Sequence, residues 1–121
     1  MRRSGMKRVQ AFFFATRTGY EPVREWLMHL DREDRREVGR GLMTLEFGWP
    51  IGMPLARPLG KGLHELRMKL AENRSARVFF YIDSQQRLIL LHAMMKQTRT
   101  TPKRDLDLAR ERMREHKRSL E

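Results

Sequence analysis

The sequence predicts an α+β domain: an N-terminal strand, a helical hairpin, a three-stranded antiparallel meander that completes one sheet, and a basic C-terminal helix. Three observations predict it. Within Leu63 to Lys96 the runs HELRMKL, ARVFFYI and LILLHAMMK read as strands separated by two short polar loops. Ahead of them lie two apolar stripes at helical spacing, and behind them a third that is coated with arginine and lysine. A chain of 121 residues is long enough for one core and too short for two, so residues 1–121 are expected to form a single domain.

Met1 to Lys7 is basic and is expected to be a disordered tail; its Arg2-Arg3 pair lacks the apolar stretch of an export signal. Val9 to Ala15 is rich in Phe and reads as a core strand, ended by Thr18-Gly19. Pro22 suits the first turn of a helix whose Val23, Trp26, Leu27 and Leu30 fall on one face, with Trp26 a core anchor. Asp31 offers an N-cap for a second helix with the stripe Val38, Leu42 and Leu45, stopped by Gly48 and Pro50. Trp49 to Gly62, rich in proline and glycine, reads as a surface loop, and its Arg57 and Lys61 could reach phosphate near the strand entrance.

In the first meander strand His64, Leu66, Met68 and Leu70 alternate with Glu65, Arg67 and Lys69, the period of a strand with one buried face. The second alternates Ala76, Val78, Phe80 and Ile82 with Arg77, Phe79 and Tyr81. Core must face core, so odd positions pair with odd positions, and Arg67 or Lys69 lies across from Arg77 or Phe79. For the third strand, a four-residue loop Asp83 to Gln86 would pair Ile82 with Arg87 and set His92 opposite Arg77, with Lys96 on the same face. Arg87 to Met95 is apolar nearly throughout, as a central strand covered on both sides would be, and one slipped residue would turn His92 into the core. Thr101-Pro102 then reads as a cap followed by the first helical position, with Asp105 and Asp107 where the helix dipole favours carboxylates and Leu106, Ala109 and Met113 as a narrow stripe. Arg110, Arg112, Arg114, Lys117 and Arg118 coat the remainder.

Charge narrows the function. Twenty-six basic against 15 acidic residues give a net charge of +11 and a pI near 11.2, which points to a polyanionic partner, a nucleic acid or an acidic protein. The stretch Lys96 to Arg118 concentrates it, with nine basic and four acidic residues. Absence of cysteine excludes disulfides, thiol nucleophiles and thiolate metal sites and fits a reducing compartment; four isolated histidines show no ligand spacing, so neither metal nor cofactor is expected. No run reaches the length of a membrane span, and the expected location is cytoplasmic.

The element order together with GKGLHELRMKL, ARVFFYI, LLHAMMKQT and TPKRDLDLARER resembles the RelE/ParE toxin superfamily, and within it the HigB-like, phage Gp49-related branch. The likeness runs from about Val9 to Lys117, and the combination of HELR, LLHxxxK and TP carries it. It implies a toxin of a type II toxin–antitoxin system, a metal-independent endoribonuclease that cleaves messenger RNA on the ribosome and inhibits translation. It implies as partners the messenger, the ribosome and a neighbouring antitoxin, often a helix-turn-helix protein.

Carried over residue by residue, the family's basic positions fall at Arg67, with Lys69 two places on, at Arg77 and at Lys96; Arg67, Arg77 and Lys96, together with His92, are the expected catalytic residues. Arg57, Lys61, Lys69, Arg99, Lys103 and Arg104 are the expected RNA-binding positions. Attack of a ribose 2′-hydroxyl on its phosphate builds charge that fixed cations stabilise, and the proton transfers need a second kind of group. His92 suits by intrinsic pKa, Lys96 if neighbouring cations depress its own. Against these readings, His92 could simply be tucked among Leu90, Leu91 and Met94, and the two arginines could form surface ion pairs with Glu65 or Glu72. The best-known ribosome-dependent members carry a tyrosine in the C-terminal segment, whereas the tyrosines here are Tyr20 and Tyr81. A gyrase-directed toxin on the same scaffold and a noncatalytic RNA-binding module are the competing readings.

Overall fold

The computed structural model describes residues 6–97 and 99–121. Strand β1 (Gln10–Phe13) leads to α1 (Pro22–Met28) and α2 (Arg32–Gly48), then β2 (Ala56–Gly60), β3 (Leu63–Lys69), β4 (Ser75–Ile82), β5 (Arg87–Lys96) and α3 (Lys103–Ser119). The five strands form one mixed sheet in the order β1-β5-β4-β3-β2, with β1 parallel to β5 and the other pairs antiparallel. No helix among the described residues is long and apolar enough to cross a membrane.

The helices begin and end for local reasons. Pro22 opens α1, and Asp31 Oδ1 accepts the Asp34 N–H at 2.9 Å to cap α2. Helix α3 starts one residue later than expected: Pro102 is its N-cap, and the Thr101 hydroxyl is spent elsewhere, on Glu65. The expected tail through Lys7 falls outside the described residues only as far as residue 5. The Lys7 ammonium lies 3.1 Å from Glu46 Oε1, while Glu46 Oε2 accepts the Ala11 N–H at 2.7 Å, so α2 holds the start of β1. Phe12, expected in the core, is 39% exposed, with the Arg87 guanidinium over its ring.

Both faces of the sheet are covered, as expected for β5, whereas for β3 and β4 this overturns the expectation of a single buried face. On one side α1 and α2 pack Val23, Val38 and Leu45 onto Leu66, Met68, Val78, Phe80, Leu88 and Leu90. On the other, α3 packs Ala109 and Met113 onto Phe79, Tyr81, Ile89 and Leu91, together with Phe14 and Leu63. The odd-numbered aromatics of β4 are therefore core under α3. Arg110 donates to the Leu59 carbonyl at 2.7 Å and Arg112 to that of Leu91 at 2.9 Å, so these two arginines clamp α3 to the sheet and are not a solvated coat.

Two further expectations are corrected. The supposed loop from Trp49 to Gly62 contains β2, an edge strand on β3, where Pro58 costs no ladder hydrogen bond on the solvent side. Its turn back into β3 passes through Gly60, Lys61 and Gly62, all at positive φ, which explains the glycines. The hairpin between β4 and β5 also closes differently. Buried Asp83 gathers the N–H groups of Gln85 and Arg87, both at 2.9 Å, and its own N–H bonds the Arg87 carbonyl. That tighter closure pairs Ile82 with Leu88, not Arg87. A bulge then leaves Leu91 unmatched between the pairs Phe80–Leu90 and Phe79–His92, and His92 stands opposite Phe79 instead of Arg77. The bulge moves Ala93 and Met95 to the α1–α2 face and returns His92, Met94 and Lys96 to the face of Arg77.

Candidate active site

Register lines up the predicted residues in three rows across one face. Arg57, Glu65, Phe79 and His92 are successive partners from β2 to β5; Arg67, Arg77 and Met94 form the next row; Lys69, Ser75 and Lys96 form the third. Of the pairings that strand parity allowed, Arg67 or Lys69 with Arg77 or Phe79, the structure has Arg67 opposite Arg77, and Lys69 opposite Ser75. Two guanidinium groups directly opposite each other repel unless something compensates them.

Glu65 is that compensation. It is 2% exposed, and its Oε2 lies 3.7 Å from Arg77 Nε while its Oε1 lies 4.0 Å from Arg67 Nε. Both separations are too long for hydrogen bonds. The carboxylate is instead anchored by Thr101, whose hydroxyl donates to Oε2 at 2.7 Å. Arg77 is 6% exposed, and its Nη1 donates to the Ala76 carbonyl at 3.0 Å; its Nε is buried with no hydrogen-bond partner among the described residues. Burial lowers the Arg77 pKa, Glu65 opposes that shift and Arg67 adds to it, so the guanidinium sits at a cost that an additional anion would relieve. Arg67 and Arg77 also line an open cavity of about 310 Å³ with Lys69, Ser75 and the apolar Pro54, Leu55 and Met68.

Lys96 belongs to the same cluster. Its ammonium donates to the Arg99 carbonyl. Burial, then Arg77, and further Arg67 and Arg57 push its pKa below the ordinary lysine value, with Glu65 opposing them. The neighbouring cations thus add, after burial, to a downward shift of the Lys96 ammonium.

His92 has different company. Its Nε2 is 2.6 Å from Asp105 Oδ1, its Nδ1 is 3.5 Å from Arg112 Nη1, and its ring stacks on Phe79. Burial lowers its pKa, Asp105 raises it and Arg112 lowers it; Arg77 and Lys96 are not among the causes. Both ring nitrogens thus face α3, and His92 ties β5 to that helix. It also borders a separate cavity of about 380 Å³ lined by Tyr20, Trp26 and His29 together with Arg112.

The remaining predicted RNA contacts form a rim. Arg57, Lys61 and Lys69 are exposed on or beside the β2–β3 edge. Arg99 is exposed after β5; Lys103 pairs with Asp107 at 2.8 Å, and Arg104 Nε lies 3.8 Å from Asp105 Oδ2. Among the described residues no group of three or more histidine or acidic side chains could hold a metal ion. Glu65, Thr101 and Asp105 are the site residues that sequence reasoning passed over, although parity alone sets Glu65 on the face of Arg67 and Arg77.

A comparison with family models gives a match to the family described as phage derived protein Gp49-like (DUF891) over residues 25–114, from α1 to α3 and across every residue of the three rows. No curated protein matches the chain.

Proposed function

The chain belongs to the Gp49-like phage-derived protein family of the RelE/HigB-like toxin superfamily, whose members are toxins of toxin–antitoxin pairs, and from that premise we propose that it is an endoribonuclease cleaving messenger RNA on the ribosome. One observation carries the reading: the buried Arg77 Nε has no hydrogen-bond partner among the described residues and lies in a cluster with Arg67 and Lys96 beside a cavity open to solvent. A phosphodiester supplies what the Glu65 carboxylate, at 3.7 and 4.0 Å, does not: acceptor oxygens able to hydrogen-bond the two guanidinium groups.

In this reading the ribose 2′-hydroxyl attacks the adjacent phosphorus and the bond to the 5′-oxygen breaks. Arg67 and Arg77 stabilise charge growing on the non-bridging oxygens, an effect that is largest where water is excluded. Lys96, with its depressed pKa, exchanges protons with the hydroxyls. Arg57 and Lys69 hold neighbouring phosphates, and Lys61, Arg99, Lys103 and Arg104 attract the RNA or ribosome from the rim. His92, engaged on both nitrogens, keeps α3 in position. The cognate antitoxin is a protein that masks this basic face.

Controlled expression in a bacterial host with primer-extension mapping tests the proposal. New messenger 5′ ends inside translated regions, accompanying growth arrest, are expected. Growth arrest with intact messages and inhibited DNA supercoiling would assign the protein to the gyrase-directed toxins instead.

A further inference from the structure

Glu65 presents a problem that the nuclease reading does not solve. A carboxylate repels the phosphate that the surrounding cations attract, and this one is almost wholly buried at the centre of them. Arg57 faces it from β2, Arg67 from two residues along β3, Arg77 from β4, and Lys96 senses its charge from β5. The Thr101 hydroxyl fixes it from the segment leading into α3. Its distances to both guanidinium groups, 3.7 and 4.0 Å, exceed hydrogen-bond range, so it draws both arginines inward without using up their donors. A counter-ion competing for the donors would form a close bidentate pair, as Arg74 does with Asp34 at 2.6 and 2.8 Å.

We propose that Glu65 is a positioning residue: anchored by Thr101, its carboxylate holds the paired Arg67 and Arg77 guanidinium groups without hydrogen-bonding them, so that the donors not spent on the Ala76 carbonyl serve one phosphate. The role rests on the ribonuclease reading, and it accepts weaker RNA binding in exchange for a fixed donor geometry. Two guanidinium groups without the carboxylate would repel each other and sample several rotamers, binding RNA by charge alone.

The full chain is compared as wild type, Glu65→Gln and Thr101→Val by three readouts: the arginine Nε–H signals in NMR spectra, affinity for a short 2′-O-methyl RNA that cannot be cleaved, and cleavage of messenger on translating ribosomes. Glu65→Gln, which keeps shape and an acceptor for Thr101, is expected to lose the ordered Arg67 and Arg77 Nε–H signals. It should also bind the probe on the order of tenfold more tightly, since one repelling charge is gone, and cleave at saturation on the order of tenfold more slowly. Thr101→Val, which keeps the charge, is expected to weaken the same signals and slow cleavage with no gain in binding. Persistence of both signals in Glu65→Gln, or turnover that rises with binding, overturns the inference, as does a shift confined to the melting temperature. If Glu65→Gln does not fold, a Thr101→Val protein with wild-type signals and turnover overturns it equally. A wild type that binds but cleaves nothing would remove the ribonuclease reading, while loss of the two signals in Glu65→Gln would still support the positioning role.

Discussion

Replacing Arg77 with alanine separates charge stabilisation from architecture only if the buried carboxylate opposite is dealt with. Strand parity alone gives Arg77 no part in the core, but the side chain is buried against Glu65, and its loss takes from that buried carboxylate the nearer of its two arginine partners. Breaking a buried pair from one side costs about 3–5 kcal/mol. The lower end applies here, because the Nε–Oε2 separation of 3.7 Å is already loose and Thr101 still donates to Glu65. An unfolding entropy of about 2.1 cal/mol/K per residue gives roughly 0.25 kcal/mol/K for a chain of this length, so ~3 kcal/mol lowers the melting temperature by roughly 12 °C. Stabilities of about 0.05–0.15 kcal/mol per residue leave such a variant folded at room temperature. Cleavage should fall on the order of a hundredfold or more through loss of one transition-state donor. The double variant Arg77→Met, Glu65→Gln removes both charges and should recover most of the melting temperature with none of the cleavage. Arg77→Lys should recover cleavage only in part, since an ammonium lacks the planar fork. Calorimetry and single-turnover cleavage well below the melting temperature give both numbers. Full cleavage by Arg77→Ala, or restored cleavage in the double variant, would refute the reasoning.

Truncation before Thr101 should abolish cooperative unfolding, because α3 covers Phe79, Leu63 and Leu91 and supplies the Arg110 and Arg112 clamps; a sharp melt in the shortened chain would show that α3 is dispensable. Burial holds the His92 and His116 rings below the ordinary histidine value. The unfolded chain then binds protons that the folded chain does not, so stability is fully present above about pH 6.5 and is lost as pH falls through the lower folded values. A melting temperature flat or rising between pH 7 and 5 would contradict that sign. Asp34→Asn removes the charge from the bidentate pair with Arg74 and should lower the urea midpoint, modestly because Arg74 is 40% exposed. An unchanged urea midpoint would show the pair to be incidental.

The parity of β3 and β4 was legible because both strands alternate strictly; it set Arg67 or Lys69 across from Arg77 or Phe79, and the observed Arg67–Arg77 pair is one of those pairings. Strand β5 was harder. Its near-continuous apolar run carries no alternation, and the Leu91 bulge that restores the face of His92 and Lys96 leaves no mark in composition. Strand β2 was hidden by Pro58 and Gly60, residues that deny an interior strand but suit an edge. Helical periodicity located all three helices, and Asp31 marked the cap of α2. What periodicity could not express was that Arg110 and Arg112 reach backbone carbonyls, since a basic residue on a helix reads the same whether solvated or clamping. Glu65 was accessible in principle. Counting charges favoured the cations around it, and only the buried geometry shows a carboxylate at their centre.

The chemistry of the cut ends tests the central claim most directly. If Arg67 and Arg77 stabilise attack by the neighbouring 2′-hydroxyl, every upstream fragment from messenger cleaved on purified translating ribosomes should end in a 2′,3′-cyclic phosphate or its hydrolysis product, and every downstream fragment should begin with a 5′-hydroxyl. Downstream fragments that begin with a 5′-phosphate, the mark of attack by water with departure of the 3′-oxygen, would contradict the account.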